Sequence, residues 1–167
     1  MASRVFLDAN VLLDFTLKRA SYEVSRRLIS LIVDGQLQGY ITPSIVHIIG
    51  YWLTKSYGSN KARELILLLL ADIRVIDMNH EVTLNALHSK ITDIEDALQY
   101  YTALHHKLDY FISMDKKLQK SSIPNLPVFT PEQFLKNQRE VPILNSLRIT
   151  KERCKYYDDK ALSNVPA

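Results

Sequence analysis

The stretch VFLDANVLLD, residues 5–14, sets two carboxylates, Asp8 and Asp14, in an otherwise apolar run. Further along, TDIEDA gathers Asp93, Glu95 and Asp96, and SMDKK places Asp115 beside Lys116 and Lys117. Clustered carboxylates repel one another and resist burial while ionised. A hard divalent cation, Mg²⁺ or Mn²⁺, relieves that repulsion, polarises phosphate and activates water. The pattern points to phosphodiester chemistry if the fold brings Asp8, Asp96 and Asp115 to one place. Each acid also has a plainer reading. Asp8 and Asp115 suit helix N-caps, Asp93 suits a first helical turn, and Thr92 with Glu95 has the spacing of a capping box. Asp96, one turn beyond Asp93, is the acid that capping explains least.

The elements that must position these acids follow from hydrophobic spacing. Short apolar runs at 4–8, 39–42, 74–77, 110–113 and 127–130 read as strands, and longer patterns with helical period lie between them. Residues 21–35 repeat apolar side chains at Val24, Leu28, Ile29, Leu31 and Ile32 before Gly35. Residues 43–58 open on Pro43 and close on Gly58, the ends a helix favours. In that helix Ile45, Ile48, Ile49 and Trp52 are expected to form the apolar face. Thr130 and Gln133 have capping-box spacing ahead of a last short helix. Strands that are apolar throughout and alternate with helices imply an α/β fold, a parallel sheet covered on both faces. In such a sheet ligands bind beyond the carboxyl ends of the strands, where the strand order reverses. Asp8 ends the first strand, Asp115 follows the fourth, and the helix carrying Asp93 and Asp96 starts at that same edge. The three segments share one rim if the first and fourth strands are neighbours. Residues 1–138 are expected to form the domain. Residues 139–167 break the pattern and read as a C-terminal appendage with one helix at about 143–157.

Taken together, VFLDANVLLD, ITPSIVHIIGYWL, DIEDALQYYTAL, DYFISMDKKL and PVFTPEQFL resemble a PIN domain over residues 4–136, most closely the bacterial branch related to VapC-type toxins. The resemblance implies a three-layer α/β/α fold with a five-stranded parallel sheet of order 3-2-1-4-5, which sets strands one and four side by side. It implies a divalent-metal-dependent RNA endonuclease that uses Mg²⁺ or Mn²⁺ and metal-activated water, a homodimer, and in many members an antitoxin partner. Carried over by position, Asp8, Asp96 and Asp115 match the metal-binding acids. Asn10 matches the residue that supports the first acid, Asp93 an outer partner, and Ser113 a hydroxyl lining the site. One position departs. Members commonly carry a Glu in the helix after the second strand, where this chain has His47 and Ile48, and no acid occurs between Gly35 and Arg63. His47 is a candidate to face the acid crevice in its place. The missing Glu keeps a second reading open: a degenerate PIN domain that binds RNA or a partner protein without cutting. Two rivals fail on residues. A haloacid-dehalogenase-like phosphatase needs a second acid where Asn10 stands, and a response-regulator receiver needs a Lys after the fifth strand.

The chain has 167 residues, a net charge of +3 and a 47% hydrophobic content. Such a length suits one domain with a proper core, and so mild a charge does not by itself argue for nucleic acid. Lys55, Lys116 and Lys117 are the cations placed to meet phosphates. The single cysteine, Cys154, excludes an internal disulfide and a Cys-rich zinc site. With no basic-then-apolar leader and no run long enough to span a bilayer, the expected location is the cytoplasm, without membrane contact. Tyr156 and Tyr157 are read as packing residues of the appendage.

Overall fold

The structure, a computed structural model, describes residues 2–137. The expected appendage helix, Cys154 and the tail tyrosines lie outside the described residues. The sheet is built from β1 (Ser3–Leu7), β2 (Leu37–Ile41), β3 (Ile73–Val75), β4 (Tyr110–Ile112) and β5 (Val128–Phe129). All are parallel and run in the order β3-β2-β1-β4-β5. This is the predicted α/β topology, and it makes β1 central, paired with β2 on one side and β4 on the other. Val5, Phe6 and Leu7 are fully buried, as a strand covered on both faces requires.

The helices are α1 (Ala9–Thr16), α2 (Tyr22–Val33), α3 (Pro43–Tyr57), α4 (Ser59–Leu69), α5 (His80–Leu87), α6 (Ile94–His105), α7 (Lys116–Ser121) and α8 (Pro131–Asn137). Right-handed crossovers place the helices before β3 over one face and those between β3 and β5 over the other. Among the described residues no helix is long and apolar enough to cross a membrane.

The strands end earlier than their apolar runs suggest. Asp8, Thr42 and Ser113 all fall just past the sheet. Asp8 and Thr42 already occupy the N-cap positions of α1 and α3, so the polar residue ending each run belongs to the next helix. β2 starts earlier than expected, at Leu37, because that residue pairs with Ser3 of β1. Gly39 of β2 has a steric reason: a Cβ there would lie 2.9 Å from Ile32 Cδ1 of α2. The expected Thr130–Gln133 capping box forms. Thr130 N–H donates to Gln133 Oε1 at 2.9 Å and Gln133 N–H donates to Thr130 Oγ1 at 3.2 Å.

The apolar face of α3 is a correction. Ile45, Ile49 and Leu53 are the buried residues, whereas Ile48 is half-buried and Trp52 is 40% exposed. The 45-49-53 stripe, one residue every four, meets the core, and the 48-52 stripe turns toward the hollow that Asp8 lines.

Candidate active site

β1 delivers Asp8 to the rim. Its backbone N–H donates to Ile112 O at 3.0 Å, continuing the β1–β4 ladder by one rung. On the neighbouring strand Ser113, buried to 1% exposure, donates its hydroxyl to Asp8 Oδ2 at 2.7 Å. The same Oγ accepts from Asp115 N–H at 3.0 Å. Ser113 therefore bridges the end of β1 to the loop that carries Asp115. That carboxylate caps α7, accepting from Lys117 N–H at 2.6 Å and Leu118 N–H at 2.9 Å. For Asp115 the helix-capping reading holds, and the cap leaves its carboxylate at the rim.

The third segment is the start of α6. Its register is held by Ala97, Tyr100 and Ala103, all buried, and by the Tyr100 hydroxyl, which donates to Leu126 O at 2.7 Å. Buried Thr42, at the end of β2, donates its hydroxyl to buried Gln99 of α6. These contacts fix which face of α6 meets β1 and so direct Asp96 to the rim. The cap of α6 corrects the expected Thr92–Glu95 box. Asp93 is the N-cap, and its Oδ1 accepts from Glu95 N–H at 2.9 Å and Asp96 N–H at 3.1 Å. The helix begins at Ile94, so Thr92 stands one residue too early. Glu95, released from capping, faces the acids.

Asp8, Asp93, Glu95, Asp96 and Asp115 line one hollow of about 330 Å³, together with Asn10, Arg19, Ile48 and Trp52. An adjoining hollow of about 190 Å³ shares Asp93, Asp96 and Asp115 and adds Lys117. Burial, followed by the charges of Asp8, Asp93, Asp115 and Glu95, pushes Asp96 up to about 7. Burial also raises Asp8, against the Ser113 hydroxyl, the Asn10 and Ala9 backbone and the Asn10 side chain, which pull it down. Glu95 is raised by partial burial and by the charges of Asp8 and Asp93. The acids are thus crowded enough to resist full ionisation together.

Carboxylates alone, at one rim and mutually repelling, are the donor set a hard cation takes. Among the described residues no group of three or more His, Cys, Asp and Glu stands close enough together to hold a metal ion. The carboxylates are the kind of donor a divalent cation takes, but they are not gathered into a ligand set.

Not every expected residue is here. His47 is exposed and lines a separate hollow with Gly50, Tyr51, Thr54 and Lys55, so it does not replace the missing acid. One residue on, the helical turn swings Ile48 instead into the acid hollow. Lys55 lies beside the Tyr51 and Trp52 rings. Lys116 is exposed and lines neither acid-bearing hollow. Asp14 sits half-buried on α1, away from the lining. The residues that spacing did not single out are Glu95, Arg19 and Trp52. Glu95 had a signal, two acids flanking it at a rim-facing helix start. Arg19 had none, because the α1–α2 turn that aims it includes Lys18 at φ +50°, outside any periodic pattern.

The fold agrees with comparisons to known proteins. A chain of VapBC2 from Rickettsia felis, in a crystal structure bound to a DNA fragment from its promoter, superposes with a TM-score of 0.59 at 16% identity. The match covers 76% of this chain and 98% of that one. No curated protein sequence matches the chain. A family model described as a PIN domain matches residues 4–117, the span from β1 to the start of α7 that carries all five acids, and on that match the chain belongs to the PIN domain family.

Proposed function

We propose that the chain is a divalent-metal-dependent nuclease acting on RNA. The observation that carries this reading is the convergence of Asp8, Asp96 and Asp115 on one hollow, where burial and then the neighbouring carboxylates push Asp96 up to about 7. Asp8, Asp96 and Asp115 would hold Mg²⁺ or Mn²⁺, with Asp93 and Glu95 at the margin. The bound cation would supply positive charge for a phosphodiester and make a water more acidic. The chain's own residues do the positioning. Ser113 ties Asp8 to the Asp115 loop, Asn10 supports Asp8, and Lys117 and Arg19 stand where phosphates flanking the hollow would meet them. The neighbouring VapBC2 complex supports a further expectation, a small antitoxin partner and a toxin-like role in the cell.

The test is RNA cleavage in Mn²⁺ by wild type, Asp8→Asn and Asp96→Asn. Cleavage by wild type, lost in both variants, supports the reading; cleavage that persists unchanged in both is contamination and overturns it. A second reading is favoured by Ile48, which lines the hollow where relatives are expected to offer a carboxylate. If wild type is as inactive as Asp8→Asn, and Ile48→Glu gains cleavage, the domain is a degenerate nuclease that retains binding.

A further inference from the structure

The acid hollow continues onto α3. Trp52 and Arg19 both line it, and Trp52 is in edge-to-face contact with Tyr51, ring centres 5.5 Å apart. Both rings are solvent-facing, at 40% and 58% exposure. Two cations attend them. The Arg19 guanidinium lies 5.8 Å from the Trp52 ring centre, and the Lys55 ammonium lies 5.7 Å from Trp52 and 6.0 Å from Tyr51. Both cations lie over the rings, at the outer limit of a cation–π contact, and the rings keep the solvent exposure given above, so an incoming base would have to displace one of these mobile side chains from the Trp52 face. Among the described residues neither cation pairs with a carboxylate.

Each feature alone has an ordinary explanation as surface chemistry. Their combination does not. A hollow of carboxylates repels a polyanion, yet Arg19 stands at its edge and Lys55 just beyond it, both over a tryptophan ring that is still 40% exposed. Aromatic faces that stack bases, beside cations that take phosphates, are the means by which single strands are gripped without sequence readout. We propose that Trp52, with Tyr51 edge-on and Arg19 and Lys55 beside it, is a stacking subsite for one unpaired base of a single-stranded nucleic acid whose adjoining phosphate lies in the acid hollow. This rests on the nucleic-acid reading of that hollow and narrows its substrate to strands with accessible bases. A duplex keeps its base faces stacked internally and cannot use the subsite.

Trp52 is the only tryptophan of the chain, so its emission reports this subsite alone. The full chain is titrated with a dye-labelled oligouridylate, either in EDTA or as Asp8→Asn in Mg²⁺, so that the strand stays intact. Label anisotropy reads binding and tryptophan emission reads stacking. The expected result is binding with quenched tryptophan emission, and binding without quenching for an abasic strand of the same charge. Trp52→Leu should weaken binding about tenfold and Trp52→Phe less, as loss of one base–aromatic stack predicts. Lys55→Gln and Arg19→Gln should each lower the salt slope by about 0.7, the share of one phosphate on a single strand. Absence of binding, binding with unchanged emission, equal quenching by a duplex or by polyglutamate, or a correctly folded Trp52→Leu with wild-type affinity would each overturn the subsite. The two readings separate cleanly. Metal-dependent cleavage with a silent tryptophan keeps the nuclease and removes the subsite; quenching in a chain that never cleaves does the reverse.

Discussion

Asp96 is the residue on which the electrostatics of the rim converge. Its ordinary carboxylate value of 3.8 is pushed up to about 7 by burial and by four neighbouring carboxylates. Between those limits the folded chain keeps a proton that the unfolded chain has released, so stability falls as pH rises from about 4 to about 7 and stays lower above. Asp8 and Glu95 are raised too and act in the same direction. In EDTA, the Tm of wild type should therefore drop between about pH 5 and about pH 8 by more than that of Asp96→Asn, and Asp96→Asn should melt higher at the upper pH. Equal pH profiles of the two proteins would refute the assignment. At Ile48 the expectation is opposite in sign for binding and stability. Ile48→Glu should lower the metal-free Tm by adding a carboxylate to a crowded hollow, and should tighten Mn²⁺ binding several-fold in calorimetric titration. Around the hollow, Asp8, Asp93, Asp96 and Asp115 were placed by spacing, each at a strand end or helix start, whereas Ser113 came from the resemblance to a PIN domain and not from any pattern of its own. Glu95 was hidden behind a capping pattern that Asp93 fulfils instead. Arg19 and Trp52 depend on a turn geometry and on a helix rotation that periodicity leaves free within one residue.

At the scale of elements, α6 is set by a few polar contacts as well as by its apolar stripe. Thr42 caps α3, accepting from Ile45 N–H at 3.4 Å, and its hydroxyl also reaches Gln99 on α6. Thr42→Val removes both and leaves the buried Gln99 amide short of a partner. The expected loss is about 1–3 kcal/mol by denaturant unfolding, with weaker metal binding because α6 carries Asp96. Gly39→Ala should cost about 1 kcal/mol, since its methyl meets the Ile32 and Ile73 side chains and the terminal Ile32 Cδ1 must turn aside within a packed core; an unchanged unfolding midpoint would show that the contact relaxes freely. The order of helices and strands was readable from apolar runs and Gly/Pro punctuation. The rotation of α3 was not, because Ile45, Ile48, Ile49, Trp52 and Leu53 offer two overlapping stripes. Only packing against α1 and α4 selects the one that is buried.

For the whole molecule, a cation held between segments far apart in sequence links binding to folding. Saturating Mn²⁺ should raise the Tm of wild type, by about 2.7 kcal/mol of added stability at a hundredfold excess over Kd, and should leave Asp8→Asn nearly unchanged; equal shifts would place the metal elsewhere. The full chain is expected to sediment as a homodimer, through helices of the first half or through residues 139–167, and a monomer at high micromolar concentration would refute that. The central position of β1 has a further consequence, for a chain still being made. β1 leaves one edge open until β4 arrives: Leu7 pairs with Ile112, Arg4 N–H is held by the Asp109 carboxylate at 2.7 Å, and Asp8 receives its Ser113 partner only then. A nascent chain that has emerged as far as α6 has a half-sheet and four of its five rim carboxylates but no closed rim. Closing a loop of that length is entropically slow. The ribosome must therefore release nearly the whole domain before Asp8 and Asp115 are brought together, so a translation product cut short ahead of β4 lacks the assembled rim on which the proposed activity depends.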